Sequence, residues 1–218
     1  MTITHHPSDA TLVAYVSGGL GEALALVVAT HIALCSDCRR KAGAVEAVGG
    51  ALLDDLPPAP MSEHAFAKLL PLLGAIEEKP ARISRLAVGR DFQPPAPLRD
   101  YVGPSLSEKN WRFLAPGIGR IAVVPRSRRG VGADLLRIKP GTGVAHHGHG
   151  GTELTMILGG GYTDEIGHFV TGDFVELDGN IRHRPVADPG EDCICLVAAG
   201  KTRFTGFLGK LLQPFIRI

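Results

Sequence analysis

The sequence predicts a multidomain α + β protein, with a small helical domain first and an all-β barrel or sandwich behind it. Three observations carry this. Residues 1–56 hold many helix formers and few strand signals. The stretch Asp54-Asp55-Leu56-Pro57-Pro58-Ala59-Pro60 places three prolines in four positions, where a helix cannot continue. From about Tyr101 the chain changes to short apolar runs separated by Gly and Pro, the pattern of short strands and turns. With 218 residues, 44% hydrophobic and 21% charged, there is ample material for a core, and a disordered chain is excluded.

The elements follow in chain order. Pro7-Ser8-Asp9 is a helix start, and Gly18-Gly19 ends that first helix. Glu22 to Leu34 is apolar almost all round, so every face must be buried. About 56 residues have difficulty covering such a helix alone, so the second domain or another protein must cover part of it. A third helix runs from about Ser36 to Leu53. Past the Pro-rich tether, about 54–61, Ser62 can cap a helix reaching about Glu78, interrupted at Pro71. Residues 1–78 therefore form the helical domain, 79–100 a linker and 101–218 the β domain. Strands are expected at Arg120–Val124, Asp134–Ile138, Leu154–Leu158 and Cys193–Val197.

Charge is uneven although the net is +1. Residues 1–56 hold three basic groups against six acidic, while 79–139 hold thirteen basic against four acidic. The basic stretch lacks aromatic interleaving and a recognition-helix motif, so it reads as a solvated linker and strand face, and no direct DNA binding is expected. There is no apolar run of ~18 residues to span a membrane. Met1-Thr2-Ile3-Thr4-His5-His6 has neither a basic start nor an apolar stretch, so the expected location is the cytoplasm.

Two constellations point to metals. His31-Ile32-Ala33-Leu34-Cys35-Ser36-Asp37-Cys38 reads H-x3-C-x2-C. His31 and Cys35 lie one turn apart on a helix face, and Cys38 follows across a turn. Three such ligands suit tetrahedral Zn2+, and the fourth comes from His5 or His6 at the start of the first helix. The simpler alternative is a reduced dithiol beside an unrelated histidine. These residues resemble the zinc-binding anti-sigma factors, whose helical domain carries an upstream histidine and then H-x3-C-x2-C. The resemblance implies His6, His31, Cys35 and Cys38 as the zinc set.

The second lies in Gly141-Thr142-Gly143-Val144-Ala145-His146-His147-Gly148-His149-Gly150-Gly151-Thr152-Glu153, closed after six intervening residues by Gly160. On a strand His147 and His149 share one face, and after a Gly-Gly turn Glu153 joins from the next strand. The spacing resembles the first motif of the cupin family at every fixed position. Gly172 to His183 resembles the second, with Asp178-Gly179-Asn180 where Pro-x-Gly is usual and Ala187 where Asn is usual; His183 stands at the ligand position. The resemblance implies a jelly-roll barrel with His147, His149, Glu153 and His183 around a divalent ion, Zn2+ first, with Mn2+, Fe2+ or Ni2+ also compatible. His146 should face outward, and Cys193 and Cys195 read as small buried hydrophobes.

Together the two halves resemble, over essentially the whole chain, anti-sigma factors of the ChrR type. That family implies a non-enzymatic transcription regulator. Its helical domain binds an extracytoplasmic-function-type sigma factor, and its cupin domain is needed for release under singlet-oxygen-type oxidant stress. In this reading Leu26, Val27, Leu69 and Leu70 are candidate anchors for sigma. The alternative is a cupin metalloenzyme, a dioxygenase or isomerase, with an accessory zinc module.

Overall fold

Ser8 accepts the amide of Thr11 and so starts α1 (Asp9–Val16), which ends before Gly18 at φ +72°. After it come α2 (Glu22–Leu34) and α3 (Ser36–Asp54), separated only by Cys35, whose sulfur accepts from the Cys38 amide. This is a computed structural model that describes residues 2–73, 93–106, 111–126 and 130–204. A fourth helix, α4 (Ala65–Leu73), holds Pro71 within it. The tail of the expected helix, 74–78, and the first part of the expected linker, 79–92, lie outside the described residues, as do 205–218. The end of that linker is not a linker: α5 (Ala96–Val102) starts after Pro95 and buries Leu98 and Val102, one turn apart, against α2.

The β domain contains β1 (Arg112–Ala115), β2 (Ile118–Val124), β3 (Gly132–Ile138), β4 (His147–His149), β5 (Glu153–Gly159) and β6 (Gly161–Thr163). It continues with β7 (His168–Val170), β8 (Phe174–Leu177), β9 (Arg182–His183), β10 (Val186–Ala187), β11 (Cys193–Ala199) and β12 (Thr202–Phe204). One antiparallel sheet runs β1-β2-β3-β11-β5-β8, and two three-stranded sheets, β10-β6-β7 and β12-β4-β9, complete the barrel. The corner between β5 and β6 requires Gly160: its φ is +62°, and a Cβ there would meet the Asp192 carbonyl at 2.6 Å.

Alternation in the six-stranded sheet feeds two cores. Ile157, Val175, Leu177, Cys193 and Cys195 point into the barrel. Leu135, Leu154, Met156, Leu158, Phe174 and Leu196 point out, where they meet Leu12, Leu26, Val27, Val28, Leu98 and Val102 of the helices. Hence β5 is buried along its whole length, which explains the consecutive apolar residues Met156-Ile157-Leu158.

The same packing answers the question raised by α2. The barrel covers one side of it, where Leu26 is 5% and Val27 0% exposed, while Leu24, Ile32 and Leu34 are half-buried. Those two residues are therefore core, and their reading as sigma anchors is corrected. Leu69 and Leu70 of α4 are 49% and 51% exposed. Among the described residues no helix is long and apolar enough to cross a membrane.

Candidate metal centres

The helical centre is assembled where α2 meets α3. His31 and Cys35 stand one turn apart at the end of α2, and Cys38 lies in the first turn of α3. His31 Nε2 is 3.3 Å from Cys38 Sγ, and His6 Nδ1 is 3.5 Å from Cys35 Sγ and 3.4 Å from Cys38 Sγ. All four donor atoms lie within 4.8 Å of one another. A tetrahedral Zn2+ with bonds of ~2.0–2.3 Å separates its ligands by roughly 3.3–3.8 Å, so the spacing suits that ion. His5, the other candidate for the fourth position, points elsewhere: its Nδ1 is 3.2 Å from Asp173 Oδ2.

Burial sets the electrostatics of these donors. Burial, with help from His6, pushes the His31 imidazole down to about 4, so it is neutral and able to ligate near pH 7. Burial and the neighbouring Cys35 thiol push the Cys38 thiol up. A dication would replace the thiol protons and remove that opposition.

The barrel centre is built on strands. His147 and His149 are the two ends of β4 and share its inner face; His183 of β9 is paired with His147, and Glu153 opens β5. All four are buried and their donor atoms lie within 4.8 Å of one another. Glu153 Oε2 meets His149 Nε2, and Glu153 Oε1 lies 3.8 Å from His183 Nε2. His147 Nδ1 donates to the Ala145 carbonyl at 2.8 Å and His183 Nδ1 to Asp164 Oδ2 at 2.9 Å. Each bond fixes the tautomer and leaves Nε2 as the ligating atom. His183 Nε2 has no hydrogen-bond partner although it is buried, an orphan that a metal would satisfy. Burial lowers the His147 imidazole to about 4 against the pull of Glu153. Burial acts on His183 in the same direction, but Asp164 and Glu153 outweigh it and raise the group. Burial disfavours the Glu153 carboxylate, yet the surrounding imidazoles hold its pKa below the usual value.

A cavity of about 130 Å³ opens beside this cluster. Its walls include Leu114, Ile118, Leu136, Ile138, Val144 and Tyr162, with Cys195 at one side. Cys193 and Cys195 are both buried free thiols. His146 is exposed, 4.0 Å from Glu165, and the exposed His168 pairs with Asp188 at 2.6 Å.

Sequence reasoning missed two carboxylates. Asp164, in the turn after β6, orients His183 from 19 residues away, and no spacing signals it. Asp173 was visible inside the second motif, but its partners are Thr4 and His5, 169 and 168 residues upstream.

Fold and sites together define a class: a metal-competent helical module docked on a cupin barrel. The model of the ChrR cupin-like domain matches residues 102–203. The Anti-sigma-E factor ChrR of Cereibacter sphaeroides is 46% identical over 219 residues, covering 100% of both chains. The crystal structure of Rhodobacter sphaeroides SigE in complex with the anti-sigma ChrR contains a chain 42% identical to this one. That match covers 91% of this chain and 100% of the other, with a TM-score of 0.78. The chain belongs to this ChrR family of anti-sigma factors.

Proposed function

We propose that this protein sequesters an extracytoplasmic-function-type sigma factor in the cytoplasm and releases it in response to oxidant stress of the singlet-oxygen type. The observation that carries the partner is full-length similarity to a protein crystallised as a complex with the sigma factor SigE. The division of labour is helical for residues 1–78 and cupin for 101–218, with 79–100 connecting them; the first half binds sigma and the second conditions release. His6, His31, Cys35 and Cys38 hold a structural Zn2+, and His147, His149, Glu153 and His183 hold a second divalent ion, Zn2+ by preference.

A surface suited to the partner is exposed. Phe66, Leu69, Leu70, Leu72 and Leu73 crowd α4, and Val48, Leu52 and Leu53 line the end of α3. Monomers rarely leave so many large apolar groups in water without using them. The acidic balance of residues 1–56 favours a basic partner, mainly by speeding encounter.

Derived from these residues, the mechanism is simple. Zinc would lock the α2–α3 turn and His6, so that α3 is presented in one geometry. The metal would supply cross-linking, not chemistry on a substrate. The barrel reads as a sensing domain and not an enzyme, because the family is regulatory.

The test is co-expression with candidate sigma factors followed by pull-down and a reporter assay. Leu69→Asp with Leu70→Asp should free sigma while zinc remains bound. Retained inhibition by that double variant would refute the surface, and failure to capture any such sigma factor would refute the partner.

A further inference from the structure

Three of the four donors of the helical centre are local, spanning only His31 to Cys38. The fourth is not. His6 is exposed and lies in the segment before α1, which has no regular structure of its own. Something else must hold it in place. The contacts that do so come from the barrel.

Asp173, 1% exposed, sits in the turn between β7 and β8. Its Oδ1 accepts the amides of Thr4 at 2.9 Å and His5 at 3.1 Å, and the Thr4 hydroxyl at 3.3 Å. Its Oδ2 accepts the Val170 amide at 3.1 Å, which fixes the carboxylate within its own turn. The next residue completes the clamp: the Phe174 amide donates to the His5 carbonyl at 3.0 Å. On the other side of His6, Glu176 accepts the Thr11 hydroxyl at 2.7 Å and the Ser8 amide at 3.1 Å. His6 is thus bracketed by two carboxylates of one barrel segment. That segment also touches a second ligand, for Phe174 packs edge-on to the His31 ring with centroids 5.3 Å apart.

We infer that the barrel segment 171–176, the β7–β8 turn and the start of β8, is an outer layer of the helical metal centre, and that Asp173 is the positioning residue through which the barrel delivers His6. Ordering a free chain segment opposes metal binding, and a prearranged ligand escapes that cost. A group that orients a ligand without touching the metal changes metal affinity by ~10–100-fold when removed. The inference rests on the reading of His6, His31, Cys35 and Cys38 as a metal set.

Full-length protein is loaded with Co2+, because two thiolates give a charge-transfer band that the thiolate-free barrel set does not. Zn2+ affinity is then measured by competition with a chromophoric chelator. Asp173→Ala should weaken the helical centre about 10–100-fold and alter its cobalt spectrum, leaving the barrel centre at its original affinity. Asp173→Asn keeps an oxygen for the Thr4 and His5 amides but places an NH2 against the Val170 amide, and should recover part of the loss. Thr4→Pro removes one amide and one hydroxyl donor at an exposed position, and should weaken the centre by a smaller factor in the same direction. It also serves if Asp173→Ala does not fold. A merely structural Asp173 would lower the melting temperature but leave the affinity and spectrum of the folded protein unchanged, and that result overturns the inference. Absence of the thiolate band in the wild-type chain would instead refute the metal reading itself.

Discussion

The two candidate metal centres are built in opposite ways. In the barrel, each donor sits on a strand whose neighbours are already paired: His147 faces His183 across β4 and β9, and Glu153 begins the buried β5. In the helical module, three donors flank a single turn and the fourth is held by residues more than 160 positions away. The barrel arranges its cluster within paired strands, whereas the helical module gathers donors from two helix ends and from an irregular segment that the barrel holds. A dense sheet can prearrange a site; a three-helix layer borrows order from its neighbour.

The sharpest way to break this contrast is to remove one ligand from each centre. Cys35→Ser should abolish metal at the helical centre together with sigma binding, since apparent zinc energies of ~10–16 kcal/mol act as folding energy in small zinc domains. His147→Ala should lose the barrel ion but keep sigma inhibition, with release by oxidant impaired. Metal content by mass spectrometry, pull-down and a reporter assay read all of these. Equal damage to sigma binding from both variants would erase the distinction.

A pair of leucines tests which helical faces are structural. Leu26→Ala should destabilise the free protein by about 2–5 kcal/mol, because it opens a cavity between α2 and the sheet. Leu69→Ala should change it by less than about 0.5 kcal/mol, yet weaken capture of sigma. Denaturant melts and pull-downs measure the two effects.

Asp164→Asn should weaken the barrel centre by ~10–100-fold without touching the helical one, because it leaves His183 without its orienting carboxylate. Competition with a chelator, scored separately for the two centres, tests this.

Acid supplies the smallest and finest comparison. In metal-free protein, His31 and His147 have folded-state values of about 4. Below an unfolded value near 6.5 the unfolded chain takes up those protons first, so stability falls between about pH 6.5 and 4, by ~1.4 kcal/mol for each unit of depression. His183, raised by Asp164 and Glu153, has the opposite sign: its contribution is complete below about 6.5 and is lost as pH rises through its folded value. The barrel centre therefore partly compensates and the helical centre does not. Hydrogen exchange should show α2 and α3 losing protection at a higher pH than β5 and β11.

What the sequence disclosed was local or periodic. Helix limits followed from caps, and β4 and β5 from the spacing of His147, His149 and Glu153. The excess apolar surface of α2 announced a missing cover, and the outward face of the sheet is that cover. Pattern alone did not say that Leu26 and Val27 lie beneath it, because periodicity states that a face is buried but not against what. Likewise α5 was read as linker: Leu98 and Val102 are too short a stripe to stand out, and they are fixed as helix by packing on α2. Asp164 and Asp173 act across 19 and 169 residues, and such bonds leave no spacing to read.

The bond from Thr4 to Asp173 also has a consequence in time, since it closes a loop of 169 residues. A ribosome delivers Thr4 almost at the outset and Asp173 near the end, separated by on the order of 10–30 s at ~5–20 residues per second. Through most of that interval the nascent chain has His31, Cys35 and Cys38 but not the Asp173 contacts that flank His6. With Asp173 positioning His6 as inferred, the first donor synthesised is the last to be held in place.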